Sequence, residues 1–210
     1  MQYAEVVAAL EPTGMVARGG FVEAPTRTLV VIGNVGGAMW PLFRAAEQPV
    51  ADPLDTWTRS VLQPIAVSLG ADFIHPSDEP FQPFQRWAQR AEGIARSPIG
   101  ILIHPEYGLW HAYRGAFVFP FAVGGVPAPT EGQSPCVSCA DQPCLSACPV
   151  DAFTIDGYDA DACRGHVRSR SEPACIEAGC AARLACPIGT RHRYGADQMH
   201  FHMRAFVGEP

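Results

Sequence analysis

All eight cysteines of this 210-residue chain lie in one stretch of about fifty residues. The first four follow the spacing Cys-x2-Cys-x4-Cys-x3-Cys-Pro, and the last four end in a second Cys-Pro, at Cys186-Pro187. Cysteine thiolates are the ligands that zinc and iron–sulfur clusters prefer. The stretch therefore predicts metal or cluster binding, and the candidate ligands are Cys136, Cys139, Cys144, Cys148, Cys163, Cys175, Cys180 and Cys186.

The first four cysteines approximate the bacterial ferredoxin pattern Cys-x2-Cys-x2-Cys-x3-Cys-Pro, in which the fourth cysteine ligates the other of two clusters. This chain has four residues where the pattern has two in its second spacer. The pattern predicts two 4Fe–4S clusters with crossed ligation. One cluster would take Cys136, Cys139, Cys144 and Cys186, and the other Cys148, Cys163, Cys175 and Cys180.

Two alternatives to iron–sulfur clusters are open for the cysteines. Zinc sites with four cysteines also use Cys-x2-Cys pairs, although they do not need a Cys-Pro ending twice. Disulfides are expected in exported proteins, but the first residues (MQYAEVVAALEPTG) carry acidic side chains and no basic region of a secretory signal. We therefore expect a cytoplasmic protein whose cysteines bind metal.

Composition narrows the chemistry further. The chain has no lysine, and all 15 basic residues are arginine, which excludes a Walker A loop, a Schiff-base enzyme and a lysine general base. The net charge is −6 and neither half is basic, so a nucleic-acid partner is disfavoured. No apolar run approaches the roughly 18 residues that span a bilayer, so no membrane partner is expected.

The elements that must position these residues are predicted from apolar periodicity and turn signals. Residues 28–32 (TLVVI) are typical of a buried strand, and Asp52 and Pro53 mark the start of a long amphipathic helix that Gly70 ends. Residues 99–120 predict a β-hairpin with its turn at 105–108. The Gly/Pro-rich residues 122–135 follow, so we place a boundary near 128 and predict domains 1–128 and 129–210.

Residues 103–120 (IHPEYGLWHAYRGAFVFP) resemble the His-Pro-x-[FY]-Gly-x-Trp-x-x-x-Arg-Gly segment of the cblC-type cobalamin-processing decyanases. Upstream, MWPLF at 39–43 and Asp-Pro-Leu-Asp at 52–55 come in that family's order. The resemblance implies a nitroreductase-like α+β core that holds cobalamin with its lower base detached. It implies corrinoid contacts at His104, Gly108, Trp110 and Arg114.

The residues themselves leave another interpretation of these contacts open. A histidine in a hairpin commonly hydrogen-bonds the backbone through its ring, which would explain His104. Trp110 and Arg114 would equally serve as core and rim of a half-buried strand.

The C-terminal half resembles the cluster module of epoxyqueuosine reductases and reductive dehalogenases. The order and number of its cysteines agree with that module, and the spacings do not. The helical repeats with which those reductases grip tRNA have no counterpart in these residues, and their catalytic aspartate segment is not found. No catalytic residue is therefore assigned. The resemblance implies a small bacterial-ferredoxin-like iron–sulfur domain after the α+β core.

Together these features predict an oxidoreductase-like iron–sulfur protein that passes electrons to a bound corrinoid. The expected process is reductive cobalamin processing, by removal of an upper ligand or reduction of cobalt, with an electron-donor protein or a flavin reductase as partner. One alternative is a small electron-transfer ferredoxin whose N-terminal domain docks a partner. Others are a corrinoid-dependent reductase of a small substrate, or a flavin in place of the corrinoid. Arg191, His192 and Arg193 are predicted to tune a cluster potential by their charge.

Overall fold

The computed structural model describes residues 1–24, 26–130, 132–154, 157–171 and 174–209, so Glu131 of the predicted linker lies outside the described residues. The chain divides into two compact units. The first unit is Met1–Ile94 with His111–Gly132, and the second is Ala95–Trp110 with Gln133–Pro210. Residues 95–110 therefore belong with the cysteine-rich unit, whereas the predicted domains 1–128 and 129–210 place them in the first domain.

Helices and strands are mixed in the α+β manner that the sequence predicts. The strands are β1 (Val16–Ala24), β2 (Arg27–Val35), β3 (Asp72–Ile74), β4 (Ala95–Arg96), β5 (Leu102–Ile103), β6 (His111–Phe119), β7 (Phe153–Thr154) and β8 (Gly157–Tyr158). The helices are α1 (Tyr3–Leu10), α2 (Trp40–Ala46), α3 (Pro53–Ser68), α4 (Phe84–Glu92), α5 (Pro143–Ser146), α6 (Ala160–Ser169), α7 (Cys175–Ala178), α8 (Ala181–Ala185) and α9 (Ala196–Val207). None of the helices within the described ranges is long and apolar enough to cross a bilayer.

The first unit is built on an antiparallel sheet with the strand order β1-β2-β6-β3. Strand β2 contains the predicted TLVVI run and is buried at nearly every position, which confirms that prediction. It pairs with β6 from Thr28 opposite Phe119 to Val35 opposite His111. Helix α4 packs on β1, and α3 packs on β3 and β6, so the core lies between the sheet and these helices.

Helix α3 confirms the predicted start at Pro53, and it continues through Pro64 to Ser68. The sequence marks Asp52 as the residue that caps the start of this helix, but its side chain makes no capping hydrogen bond. The start of the helix is therefore stabilised by Pro53, whose fixed φ suits the first turn.

The predicted hairpin over 99–120 is wrong in its strand pairing, although a turn is present at 105–108, where His104 and Gly108 exchange two backbone hydrogen bonds of 2.9 Å. Strand β5 pairs with β4, and β6 pairs with β2 and β3 instead. A local turn explains the difference: the Ser97 N–H donates to the Ile101 carbonyl at 2.8 Å, and the Gly100 N–H donates to the Ser97 carbonyl at 2.9 Å. The turn folds residues 102–103 back onto 95–96, and the apolar β6 is left to complete the larger sheet.

A buried ion pair stabilises the first unit. Arg18, 3% exposed, donates to both carboxylate oxygens of Glu92, at 2.5 and 3.0 Å. The Tyr113 hydroxyl donates to the same carboxylate, and burial raises the pKa of this phenol. Every charge in this group therefore has a partner, which a buried pair requires.

Candidate metal centres

The eight cysteines of the second unit line two separate cavities, four in each. The first cavity contains Cys136, Cys139, Cys144 and Cys186, and its empty volume is about 340 Å³ with its open mouth included. The second cavity contains Cys148, Cys163, Cys175 and Cys180, and its empty volume is about 300 Å³. These are the two sets of four that crossed ligation predicts.

The electrostatic neighbours of the thiols fall into the same two sets. Burial raises the pKa of Cys144, and the nearby thiols that raise it further are Cys186, Cys136 and Cys139. Burial likewise raises the pKa of Cys175, with Cys163 and Cys148 as the neighbouring thiols. The thiols of each cavity are thus close enough to repel one another when ionised, and a bound cation would relieve that repulsion.

The first cavity forms in spite of its long Cys139–Cys144 spacer. Gln142 takes a left-handed backbone conformation with φ 37°, and α5 begins directly after it. The short helix carries Cys144 toward the cavity and ends at Ser146. Cys148 then leaves toward the second cavity, where its sulfur accepts the Ala152 N–H at 3.4 Å. The tight turn at Gln142 therefore accommodates the two additional residues of the Cys139–Cys144 spacer.

Helix α8 separates the last two cysteines in a similar way. Cys180 precedes the helix and Cys186 follows it, and they enter different cavities. Burial raises the pKa of Cys180, while the backbone N–H groups of Arg183 and Ala182 hydrogen-bond its sulfur and lower that pKa. These N–H groups favour the thiolate form that a metal ligand must take.

All eight cysteines are free thiols, so no disulfide competes for them. In the described parts of the chain, no three His, Cys, Asp or Glu side chains are arranged to hold a metal ion. A zinc site needs four sulfurs about 2.3 Å from one point, and the thiols among the described residues are not gathered in that way.

Apolar residues form most of the wall in both cavities. The first cavity adds Pro98, Pro135, Pro143, Pro187, Ile103, Leu109 and Ile188 to its cysteines, with Ser97 and Gln142 as polar members. The second adds Pro149, Val150, Phe153, Val167, Ala181, Ala182 and Met203, with His166 as its polar member. A group bound in either cavity would be largely shielded from water.

The wall of the first cavity includes residues from 95–110, and two glycines hold this segment in place. Gly108 has φ +58°, and a side chain there would overlap the carbonyl of Ile188. Gly189 has φ +69°, and a side chain there would overlap the backbone of Tyr107. The turn that carries His104 is therefore packed directly on the chain that follows Cys186.

His104 is bound to its own turn. Its Nδ1 accepts the backbone N–H groups of Glu106 at 3.1 Å and Tyr107 at 3.2 Å, and its ring stacks on Tyr107 at 4.0 Å. Because Nδ1 accepts, the neutral ring carries its proton on Nε2. This backbone bonding is the interpretation of His104 that the residues themselves left open.

The other predicted corrinoid contacts lie in both units. Trp110 is 1% exposed in the second unit, with the Arg183 guanidinium 4.6 Å from its ring and Tyr194 packed edge-on at 5.5 Å. Arg114 lies on β6 of the first unit and donates from Nε to the Asn34 side chain at 3.1 Å. Trp110 is thus a core residue, which was the alternative to a corrinoid contact. The predicted corrinoid contacts at His104, Gly108, Trp110 and Arg114 stay a prediction.

No family model and no curated protein matches this chain. Among solved structures, the chain is similar to the B12-trafficking protein CblC of C. elegans, with TM-score 0.56, 14% identity, and coverage of 97% of this chain and 91% of CblC. A selenomethionine-labelled epoxyqueuosine reductase gives TM-score 0.55, 12% identity, and coverage of 94% and 68%. An epoxyqueuosine reductase bound to a tRNA-Tyr stem loop gives TM-score 0.52, 16% identity, and coverage of 90% and 53%.

The chain has the fold of CblC and epoxyqueuosine reductase. Identities of this size establish the fold alone. The fold likeness agrees with the resemblance found at residues 103–120, and it does not by itself show an iron–sulfur module.

Two residues near the cavities were not found from the sequence. Arg183 donates to the Leu109 carbonyl from Nε at 3.1 Å, and its guanidinium lies between the rings of Trp110 and Tyr194. Its position between Cys180 and Cys186 is the one feature of the sequence that could have indicated a role near the cavities. Ser97 lines the first cavity, and nothing in its local sequence connects it with cysteines about forty residues away. Of the arginines predicted to tune a cluster, Arg193 lowers the pKa of Cys186.

Proposed function

We propose that this protein holds two 4Fe–4S clusters, one in each four-cysteine cavity, and passes single electrons from them to a corrinoid. One observation carries the cluster part: eight cysteines, interleaved in sequence, are sorted into two cavities of four. If each site used four consecutive cysteines, Cys148 would lie in the first cavity and Cys186 in the second. The structure has the two cysteines the other way round, which is the ligation scheme of two-cluster ferredoxins.

The residues around each cavity suit this cofactor. Burial raises the pKa of Cys144, Cys175 and Cys186, and a bound positive charge would stabilise their thiolate forms. The iron ions of a cluster supply this charge. The apolar walls keep water away, and solvent exposure is one of the main determinants of a cluster potential.

The corrinoid part of the proposal is supported by the fold that the chain shares with a B12-trafficking protein. A bound corrinoid would supply a cobalt ion that accepts one electron at a time and releases an upper ligand on reduction. The chain would position it, and the guanidinium of Arg114, on β6 of the first unit, is the group we assign to contact it. Each electron would come from an external donor protein or flavin reductase, so that one electron enters for each one that reaches cobalt.

Anaerobic purification followed by metal analysis tests the cluster part. We expect about eight irons and eight sulfides per chain, with brown colour and an EPR signal after reduction. Zinc without iron would contradict both parts of the proposal. About four irons would mean that only one cavity holds a cluster.

Titration of the iron-loaded protein with cobalamin under nitrogen tests the corrinoid part. Binding should shift the cobalamin absorption toward the form with its lower base detached. Arg114→Gln should weaken binding, whereas Arg27→Gln, at an exposed arginine paired with Glu23, should leave it unchanged. Full iron with no cobalamin shift would contradict the corrinoid part and leave an electron-transfer ferredoxin.

A further inference from the structure

Ser97 lines the first cavity, and its hydroxyl is buried. Its residue is 7% exposed, and it lies in the turn between β4 and β5. The Ser97 N–H donates to the Ile101 carbonyl, and the Ser97 carbonyl accepts the Gly100 N–H. The backbone of Ser97 is therefore satisfied by the turn, and only the side chain is left to be accounted for.

The Ser97 Oγ has no hydrogen-bond partner among the described residues. Buried hydroxyls are nearly always hydrogen-bonded, because burial removes their bonds to water. The wall around Ser97 is formed mainly by prolines, aliphatic side chains and the four cysteines. Sulfur is thus the acceptor that this cavity offers in quantity.

The prolines make such a donor more important. Clusters commonly receive hydrogen bonds from backbone N–H groups, but proline has none. Four prolines, at 98, 135, 143 and 187, line the first cavity. In the second cavity, by contrast, backbone N–H groups reach the sulfurs of Cys148, Cys175 and Cys180. In the first cavity, the Ile188 N–H reaches the sulfur of Cys186.

We propose that the Ser97 hydroxyl donates a hydrogen bond to a sulfur of the cluster in the first cavity and raises the reduction potential of that cluster. The inference rests on the proposed clusters. Reduction adds one electron from the donor and makes the sulfurs more negative, so a donor hydrogen bond stabilises the reduced state more than the oxidised state. No proton is transferred. The cluster in the second cavity would be independent of Ser97.

EPR-monitored redox titration of the anaerobic protein tests this inference. Ser97→Ala should make the first cluster harder to reduce by about tenfold in its equilibrium constant, which is about 59 mV for one electron. Ser97→Thr keeps the hydroxyl and should restore most of the potential. Ser138→Ala is the matched control. Ser138 lies between Cys136 and Cys139, and its hydroxyl already donates to the Pro135 carbonyl at 3.2 Å.

The titrations are best made in a Cys175→Ala background, where only the first cavity has its four thiols. If Ser97→Ala leaves both the iron content and the potential of this background unchanged, the inference is overturned and the clusters stand. Absence of iron from the unsubstituted protein would instead overturn the proposed function. If Ser97→Ala loses iron, deuterium-exchange ENDOR on the unsubstituted cluster decides: no exchangeable proton coupled to the first cluster beyond that of the Ile188 N–H would overturn the inference.

Discussion

Paired alanine substitutions of the cysteines should show which thiols share a cluster. Each cavity supplies four thiols, so the loss of any one should cost one cluster, or about four of eight irons. A second substitution in the same cavity should cost nothing more, whereas one in the other cavity should remove the remaining iron. The loss of iron is thus strongly non-additive within a cavity and additive between cavities.

Cys148 and Cys186 make this test decisive. Cys144→Ala with Cys186→Ala, far apart in sequence but in one cavity, should retain about four irons per chain. Cys144→Ala with Cys148→Ala, close in sequence but in different cavities, should retain almost none. Ligation in sequence order gives the opposite result for both pairs.

The assay is iron and sulfide per chain after anaerobic purification, with EPR of the reduced protein to identify the surviving cluster. Circular dichroism serves as the control for folding, since the first unit contains none of the eight cysteines. Four irons in the Cys144/Cys148 pair and none in the Cys144/Cys186 pair would refute the cavity assignment.

Three further predictions concern stability, measured as the free energy of unfolding in denaturant. Glu92→Gln should cost about 3–5 kcal/mol, because it leaves the Arg18 charge buried without its counter-ion. Gly108→Ala should cost about 1–3 kcal/mol and loosen the first cavity, since the residue has φ +58° and a side chain would overlap Ile188. Stability should also fall as the pH drops below about 6.5, because burial lowers the pKa of His75 and the unfolded state takes up a proton first. His75→Gln should reduce that pH slope.

Each of these has a matched control. Tyr113→Phe removes one hydrogen bond to the Glu92 carboxylate and leaves the ion pair intact, so it should cost less, about 1.5–3 kcal/mol. Gly165→Ala, in helix α6 where nothing lies within 4 Å, should stabilise by about 0.5–1 kcal/mol. Asp55, Asp78, Arg59 and Arg114 act on His75 with opposing signs, so an unchanged slope in His75→Gln would assign the pH dependence to other groups.

The sequence predicted the long strand and the long helix of the first unit correctly, but it did not predict how residues 95–110 fold beside the first cavity. TLVVI and the helix from Pro53 carry their signals in their own residues, and both are present. The hairpin at 99–120 failed because its decisive feature is a turn at Ser97–Gly100 that joins strands of two residues each. Such short strands give almost no periodic signal. The contribution of 95–110 to the first cavity followed from that turn and could not be predicted without it.

The division of the cysteines has a simpler physical basis than their spacing suggests. Cys136 and Cys139 are joined by a turn in which the Cys139 N–H donates to the Cys136 carbonyl at 3.3 Å, so both reach one cavity. Cys180 and Cys186 lie at opposite ends of helix α8, and they enter different cavities. The conformation of a spacer, more than its length, therefore decides which cysteines act together, and an irregular pattern is compatible with two complete sites.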